Sequence, residues 1–534
     1  MRRITTIFAV FIFVILGVWF LHNSLFQAVQ ASPLVPNTST ATSIWQIDTN
    51  IDNAVSAGFY TSLALDSHDN PHISYSQWIS SNVKYAFWDG TNWQVELIEN
   101  VGSGTSSIVT SLALDSNDYP HISYDYDEEA LKYAYWDGAN WQIQTVDNIG
   151  QTGRDNSLAL DGNNYPHISY VQVDLTDTVK HAYWDGIYWQ IQIVDTSAAL
   201  RETSLALDSN GYPHITYRDW VTATNSDLKY AHWNGNDWQI SIVDGLGDTG
   251  HRPSLALDSN DNPHITYYDS TNDDMKYAYW DGNNWQIETV DSAGDVGWDS
   301  ALTLDSQDSP HISYHDSTNT ALKYARWDGN NWQTETVEDA GGWFTSIALN
   351  TNEHPLISYY CNGCSPSLRL ARWLGQTASV AIGVGGGVFT PTNSLTFTFP
   401  SGAFSEPVTI TYTTVDPVAH TLTDIGIFYE LTAVFTTTGQ PAQLEPGETF
   451  TTVVQYDEAD LPPGVSESSL GLYYAVSSLV QQLNNVTATW NPASSNVVNT
   501  ETNEITAVDS HLGTWAVFSA EAGYEVFLPA VVKP

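Results

Sequence analysis

The chain has 534 residues, too many for one hydrophobic core, and only 14% of them are charged, yet the formal net charge is −45. So acidic a protein is excluded as a nucleic-acid partner, because phosphates are gripped by clustered Lys and Arg, and it is a poor match for an anionic membrane surface. It suits a soluble protein bathed in salt or calcium.

In chain order, Arg2 and Arg3 come first, then an apolar run over residues 7–21, then the small residues of Val29-Gln30-Ala31 before Ser32. Residues 1–31 therefore read as an export signal. The run is shorter than the roughly 20 residues that span a bilayer, so a cleaved signal is preferred. An uncleaved anchor is the alternative and the one route to a membrane. Either reading puts the bulk of the chain outside the cytoplasm, secreted or on the surface of a bacterium, and a monomer is expected.

A phrase of the form SLALDSNDNPHITY then recurs, beginning at Ser62, Ser111, Ser157, Ser204, Ser254, Ala301 and Ser346. Its prolines, from Pro71 to Pro355, stand 45 to 50 residues apart, a period that means a solenoid, a propeller or an array. Each unit holds four short alternating runs rich in strand formers, separated by Asp, Asn, Gly and Pro. Four antiparallel strands in a unit of this size make a propeller blade. The seventh unit lacks its fourth strand, and the fragment SIWQID at 43–48 supplies one. The expected fold is all-β: a seven-bladed β-propeller over 42–376, closed by an N-terminal strand that completes the last blade and leaves no open edge at the join.

Two tryptophan series run through the repeat, one ending the third strand (Trp88 and its equivalents) and one opening the fourth (Trp93 and its equivalents, with Trp45 for the last blade). They are expected to fill the wedge between blades, each burying on the order of 200 Å², with sugar stacking as the alternative. His72, His121, His167, His214, His264 and His311 follow the repeat proline. With nearby Ser and Asp they are expected to form one buried network per blade, since six identical active sites would be odd. The composition resembles the structural tetrad of WD40 propellers.

Asp258, Asn260 and Asn262 have the spacing of calcium ligands, and integrin-type FG-GAP blades hold calcium at this turn. The closing acid is replaced by Thr266, so a plain Asx hairpin turn is preferred, with no cofactor and calcium as the weaker alternative. Cys361 and Cys364 read as a local disulfide in an exported protein.

The connections between strands two and three and between blades vary, and variable loops on a rigid scaffold are where binding is usually placed. Phe59, Arg154, Arg201, His251, Trp298 and Trp343 lie three residues before the repeat phrase, with Arg252 adjacent, and are expected to rim the channel mouth. Trp78 and Trp220 stand in the two-to-three loops. The three arginines break a pattern in which every propeller lysine is a repeat lysine. They are expected either to grip a carboxylate or sulfate or to pair with local acids such as Asp155 and Glu202.

The repeat ends at Thr377. A stretch with Pro400-Ser401-Gly402-Ala403, Tyr456-Asp457-Glu458-Ala459-Asp460-Leu461 and His511 before Trp515-Ala516-Val517-Phe518 resembles ZU5-like β-sandwich domains. That resemblance implies a packing or adhesion module over 377–520, followed by a short apolar tail at 521–534. The propeller half resembles bacterial PHISY-type repeat proteins and, more distantly, fucose-binding propeller lectins through its W-D-G-x-x-W turns. Sialidase Asp-boxes sit at the same turn, but their Ser is absent here and Asp and Gly are adjacent. The function expected is a non-catalytic binding or adhesion protein for a glycan or an extracellular protein. A sialidase-like hydrolase or lyase is one alternative and a structural envelope spacer another.

Overall fold

The computed structural model describes residues 37–38, 42–102, 108–126, 129–222 and 225–392. It also describes 395–414, 424–438, 440–446, 448–455, 470–476, 486–492, 495–499, 504–509, 513–519 and 526–528. The export-signal reading, the acidic segment at 456–461 and His511 lie outside these residues. Among the described residues every regular element is a strand, apart from one turn of 3-10 helix at Trp78–Ser80. The chain divides into two compact units, Ile44–Leu374 and Met1–Ser43 with Gly375–Pro534.

The first unit holds six consecutive four-stranded antiparallel sheets, each in simple up-and-down order. A seventh is made of Trp343–Leu349, Pro355–Tyr360 and Leu368–Ile382, and Thr42–Asp48 pairs with the last of these. The first sheet packs on the seventh, since Leu63 N donates to Ser346 Oγ at 3.0 Å and Thr61 Oγ1 to the Phe344 carbonyl at 2.7 Å. The sheets therefore close into a ring, a β-propeller, and are numbered here as blades 1 to 7.

The stray strand does close the last blade. Trp45 donates through Nε1 to Glu335 at 3.0 Å and sits edge-on to Tyr324 at 5.4 Å. Arg372 of the seventh blade donates to Asp48 at 2.8 Å. Trp141 and Trp332 make the same bond to Glu96 and Glu288 of the blades before them. The fourth-strand tryptophans thus fill the wedge between blades, where an apolar body with one donor edge fits a half-buried position.

Repeated residues hold neighbouring blades together. The serine that opens the phrase accepts the next blade's backbone N–H, from Ser62 taking Leu112 N at 3.0 Å to Ser254 taking Leu302 N at 3.1 Å. Ala301 cannot do this for blade 7. At the end of each fourth strand a carboxylate takes a tyrosine hydroxyl from the next blade, as Asp147 takes Tyr170 at 2.8 Å. The repeat lysine meets the same acid, Lys180 on Asp147 at 2.8 Å and Lys84 on Asp52 at 2.7 Å. Lys276 departs from the rule and bonds Thr289 at 2.7 Å. The lysines are therefore committed to the frame.

The histidine network differs in its partners from the one expected. His72 shares a hydrogen bond with the Tyr85 hydroxyl and lies 3.6 Å from Asp66. The serine two residues on, Ser74, reaches instead to Thr110 of the next blade at 2.9 Å. Burial, partly offset by the turn aspartate, holds His72, His121, His264 and His311 below the usual value, and His214 falls to about 4. In the unfolded chain these groups protonate near pH 6.5. Their contribution is thus complete above that pH and is lost as pH falls from there towards the folded values. The urea midpoint of the propeller is expected to drop between pH 7 and pH 5, and a midpoint flat over that window would show that the histidines charge freely in the fold.

The second unit is a β-sandwich. One sheet contains Gly387–Thr392, Leu395–Phe399, Phe450–Gln455 and Glu504–Asp509. The other contains Val408–Thr414, Asp424–Phe435 and Gly513–Ser519. One core joins their inner faces, with Phe389, Phe397, Phe399 and Phe450 from the first against Val408, Ile410 and Leu431 from the second. Val526–Leu528 of the apolar tail is a strand paired with Val486–Pro492.

Candidate functional site

All seven first strands line one cavity of about 160 Å³ on the ring axis. In six of the seven blades a bulge near the start of the first strand brings them there, while blade 2 pairs in register from Thr110. In blade 5, His251 pairs with Tyr268 and Ser254 with Thr266, so three steps on one strand match two on the other. The extra residue takes a left-handed conformation: φ is 49° at Tyr60 and Arg252, 51° at Asp155, 59° at Glu202, 50° at Asp299 and 54° at Phe344. An inserted residue moves every preceding side chain to the opposite face.

That shift corrects the expected rim by one residue. The axis is lined by Tyr60, Val109, Asp155, Glu202, Arg252, Asp299 and Phe344. Of the residues expected at the rim, Arg252 alone is among them, and it pairs with Glu202, one of the local acids the sequence offered. The others turn back to the preceding blade. Phe59 packs on Tyr360 at 4.2 Å, Trp298 on Tyr268 at 4.4 Å and Trp343 on His315 at 4.0 Å. His251 bonds Asp248 at 3.0 Å, and Arg201 is paired with Asp177. Arg154 stands one residue short of the axis, beside Asp155. The arginines therefore do not form a joint carboxylate or sulfate clamp.

Trp78 is exposed in the two-to-three connection of blade 1, edge-on to Phe59 at 4.8 Å, whereas Trp220 is exposed near the end of the second strand of blade 4, Pro213–Thr222, and not in the loop, under the Arg218 guanidinium at 5.1 Å. Both segments bond back to the connection from the preceding blade, Trp78 N to Ser56 O at 3.2 Å and Trp220 N to Ala199 O at 2.8 Å. The two kinds of variable connection thus share a face.

The calcium spacing resolves into a turn. Asp258 accepts the backbone N–H groups of Asn260 and Asn262 at 2.9 and 2.7 Å, and the Asn262 side chain donates to it at 2.9 Å. Asn262 thus points its nitrogen at the carboxylate, which is wrong for a shared cation. Cys361 and Cys364 are joined by a disulfide.

The axis has two unlike halves. Phe344 and Tyr60 lie together, ring centroids 4.2 Å apart, with Val109 next in the ring. Opposite stand Asp155, Glu202, Arg252 and Asp299. Each acid takes a backbone N–H from the next blade: Asp155 from Glu202, Glu202 from Arg252 and Asp299 from Phe344, all at 3.0 Å. Burial and then the Glu202 charge push the Asp155 carboxyl up, against the pull of Arg252 and Arg154. Arg252 lies 3.5 Å from Glu202 and 3.4 Å from Asp299, with its guanidinium over Tyr60 at 5.6 Å. These acids hold Arg252 charged despite burial.

Below this layer Thr61, Thr110, Asn156, Thr203 and Thr345 donate to the carbonyl of the preceding blade's axis residue. Pro253 cannot, and Ser300 turns to Thr266. The floor is thus fixed by hydrogen bonds, and the wall above it carries the chemistry.

No family model matches the chain, nor does any curated protein. Among solved structures, the SapL1 lectin in complex with alpha methyl fucoside is 15% identical, with 54% of this chain and 98% of that one covered at a TM-score of 0.37. A mutant Aleuria aurantia lectin in complex with Fucalpha1-6GlcNAc is 12% identical, covering 54% and 97% at 0.37. A catalytically inactive virginiamycin B lyase from Staphylococcus aureus with quinupristin is 10% identical, covering 62% and 99% at 0.43. At these scores neither site nor ligand carries over, and the propeller stands on its own strand pairing.

Proposed function

We propose that this is an exported, non-catalytic binding protein that takes the end of a glycan into the mouth of the propeller axis. The observation that supports this is the division of the axis into an aromatic half and a charged half. A sugar ring has a C–H face that packs on aromatic rings. Its hydroxyls both donate and accept, so they satisfy carboxylates and a guanidinium together. Drug-sized ligands use pockets of roughly 300–1,000 Å³, so a cavity of about 160 Å³ takes one terminal ring and leaves the rest of the chain on the face outside. The left-handed residues fit such a role, since backbone strain of this kind gathers at binding sites. Hydrolysis is disfavoured because all three carboxylates are held by backbone N–H groups of the frame.

A glycan array probed with the full chain tests this. Binding should fall about two- to twelvefold in Tyr60→Ala, the range that about 0.5–1.5 kcal/mol of aromatic contact gives. Trp88→Ala, on the outer part of blade 1, should leave it unchanged. An empty array would overturn the reading. A protein partner on the same face is the second reading, favoured by the exposure of Trp78, Ile79 and Trp220 there.

A further inference from the structure

The axis also carries information on the charge of what it takes. Three carboxylates and one guanidinium line a small cavity; Arg218, outside that lining, lies 4.0 Å from Glu202, and Arg201 is turned away onto Asp177. Arg252 already lies between Glu202 and Asp299, so it stabilises those two acids first. Asp155 is left as the least compensated charge on the wall, and burial with the adjacent Glu202 raises its proton affinity.

The second feature is Arg252 itself. Its buried Nε lies closest to the two acids yet has no hydrogen-bond partner among the described residues, and its side chain keeps 30% of its surface exposed. Among the described residues its Nη1 and Nη2 make no hydrogen bond to a side chain. The guanidinium is thus open to an acceptor, while Asp155, for which burial and Glu202 outweigh the arginines, favours a donor that brings positive charge. The aromatic pair on the other side asks for an apolar face.

We infer that the group entering the axis carries an ammonium next to a hydroxyl, as a 2-amino-2-deoxy sugar does, and that acidic sugars are refused. The ammonium lies against Asp155 and Glu202, the neighbouring hydroxyl oxygen accepts from Arg252, and the ring face packs on Tyr60 and Phe344. This rests on the glycan reading and sharpens it.

Calorimetric titration of the full chain at pH 6.5 with glucosamine, glucose, N-acetylglucosamine and glucuronate tests it. Glucosamine should bind at least tenfold tighter than glucose or N-acetylglucosamine, and glucuronate should not bind measurably. In Asp155→Asn the glucosamine advantage over glucose should shrink to about threefold or less. The ratio is the readout, so a general loss of affinity in the variant does not imitate the effect. The wild-type ratios decide the matter alone if that variant does not fold. Equal binding of glucose and glucosamine, or a preference for glucuronate, would overturn the inference and leave the glycan reading standing. Absence of binding by all four sugars, with an empty array, would remove both.

Discussion

Replacing Trp45 by alanine is expected to destabilise the propeller by about 3 kcal/mol, the lower end of the range for Trp→Ala because the ring is only part-buried. The hydrogen-bond and ring partners of Trp45 lie far from it in sequence. It bonds Glu335, 290 residues away, and packs on Tyr324 and the core of the last wedge. Its loss therefore weakens the closing strand where the ring is joined, and the whole propeller should unfold earlier in urea, read by tryptophan fluorescence. Trp45→Phe keeps the ring against Tyr324 and loses only the Nε1–H to Glu335, a cost of about 1 kcal/mol. An unchanged midpoint in Trp45→Ala would show that the strand at Thr42–Asp48 decorates the ring and does not close it.

Gly297→Ala should cost about 2–4 kcal/mol. Gly297 has φ 111°, and a Cβ there would lie 2.8 Å from the Met275 Cα of the preceding blade. Two penalties add: a backbone conformation that a side chain opposes, and overpacking against main chain that cannot swing aside. Gly282 in the W-D-G turn separates them, because its φ is 91° and nothing lies within 4 Å of the added Cβ. Gly282→Ala should therefore cost only about 1 kcal/mol. If the two variants melt alike, the close approach at Gly297 has no energetic weight and the blades are less tightly seated than their geometry shows. Because Gly297 stands two residues before Asp299, Gly297→Ala should also reduce ligand binding more than its stability loss accounts for.

Blades, turns and closure were legible in the sequence because each is written in local, repeated terms. Alternation sets the strands, Asp-Gly and Asn-Gly set the turns, and a tryptophan phrase without a fourth strand in its own unit shows where the ends meet. The axis was not legible, for a specific reason. The spacing before the repeat phrase places Arg154, Arg201 and Trp298 at the rim, but one inserted left-handed residue in six of the seven blades reverses that side assignment. The residues that adopt it are Tyr60, Asp155, Glu202, Arg252, Asp299 and Phe344, of which only the two aspartates belong to a type that favours positive φ. A weak signal was present in the glycine two places earlier in Gly58-Phe59-Tyr60, Gly153-Arg154-Asp155, Gly250-His251-Arg252 and Gly297-Trp298-Asp299. The arginine clamp failed for another reason: the acid that takes Arg201 is Asp177, far from it in sequence and brought near only by the blade-to-blade packing.

The closing strand sets a timetable for synthesis. The segment carrying Trp45 leaves the ribosome before the rest of the propeller, and the glutamate it bonds is added 290 residues later. At about 5–20 residues per second that is a delay of roughly 15–60 s. Throughout it, a short strand with an apolar face has no cognate edge to join, while six complete sheets assemble behind it. The piece that completes the ring is the one that must be kept from pairing with the wrong neighbour for longest.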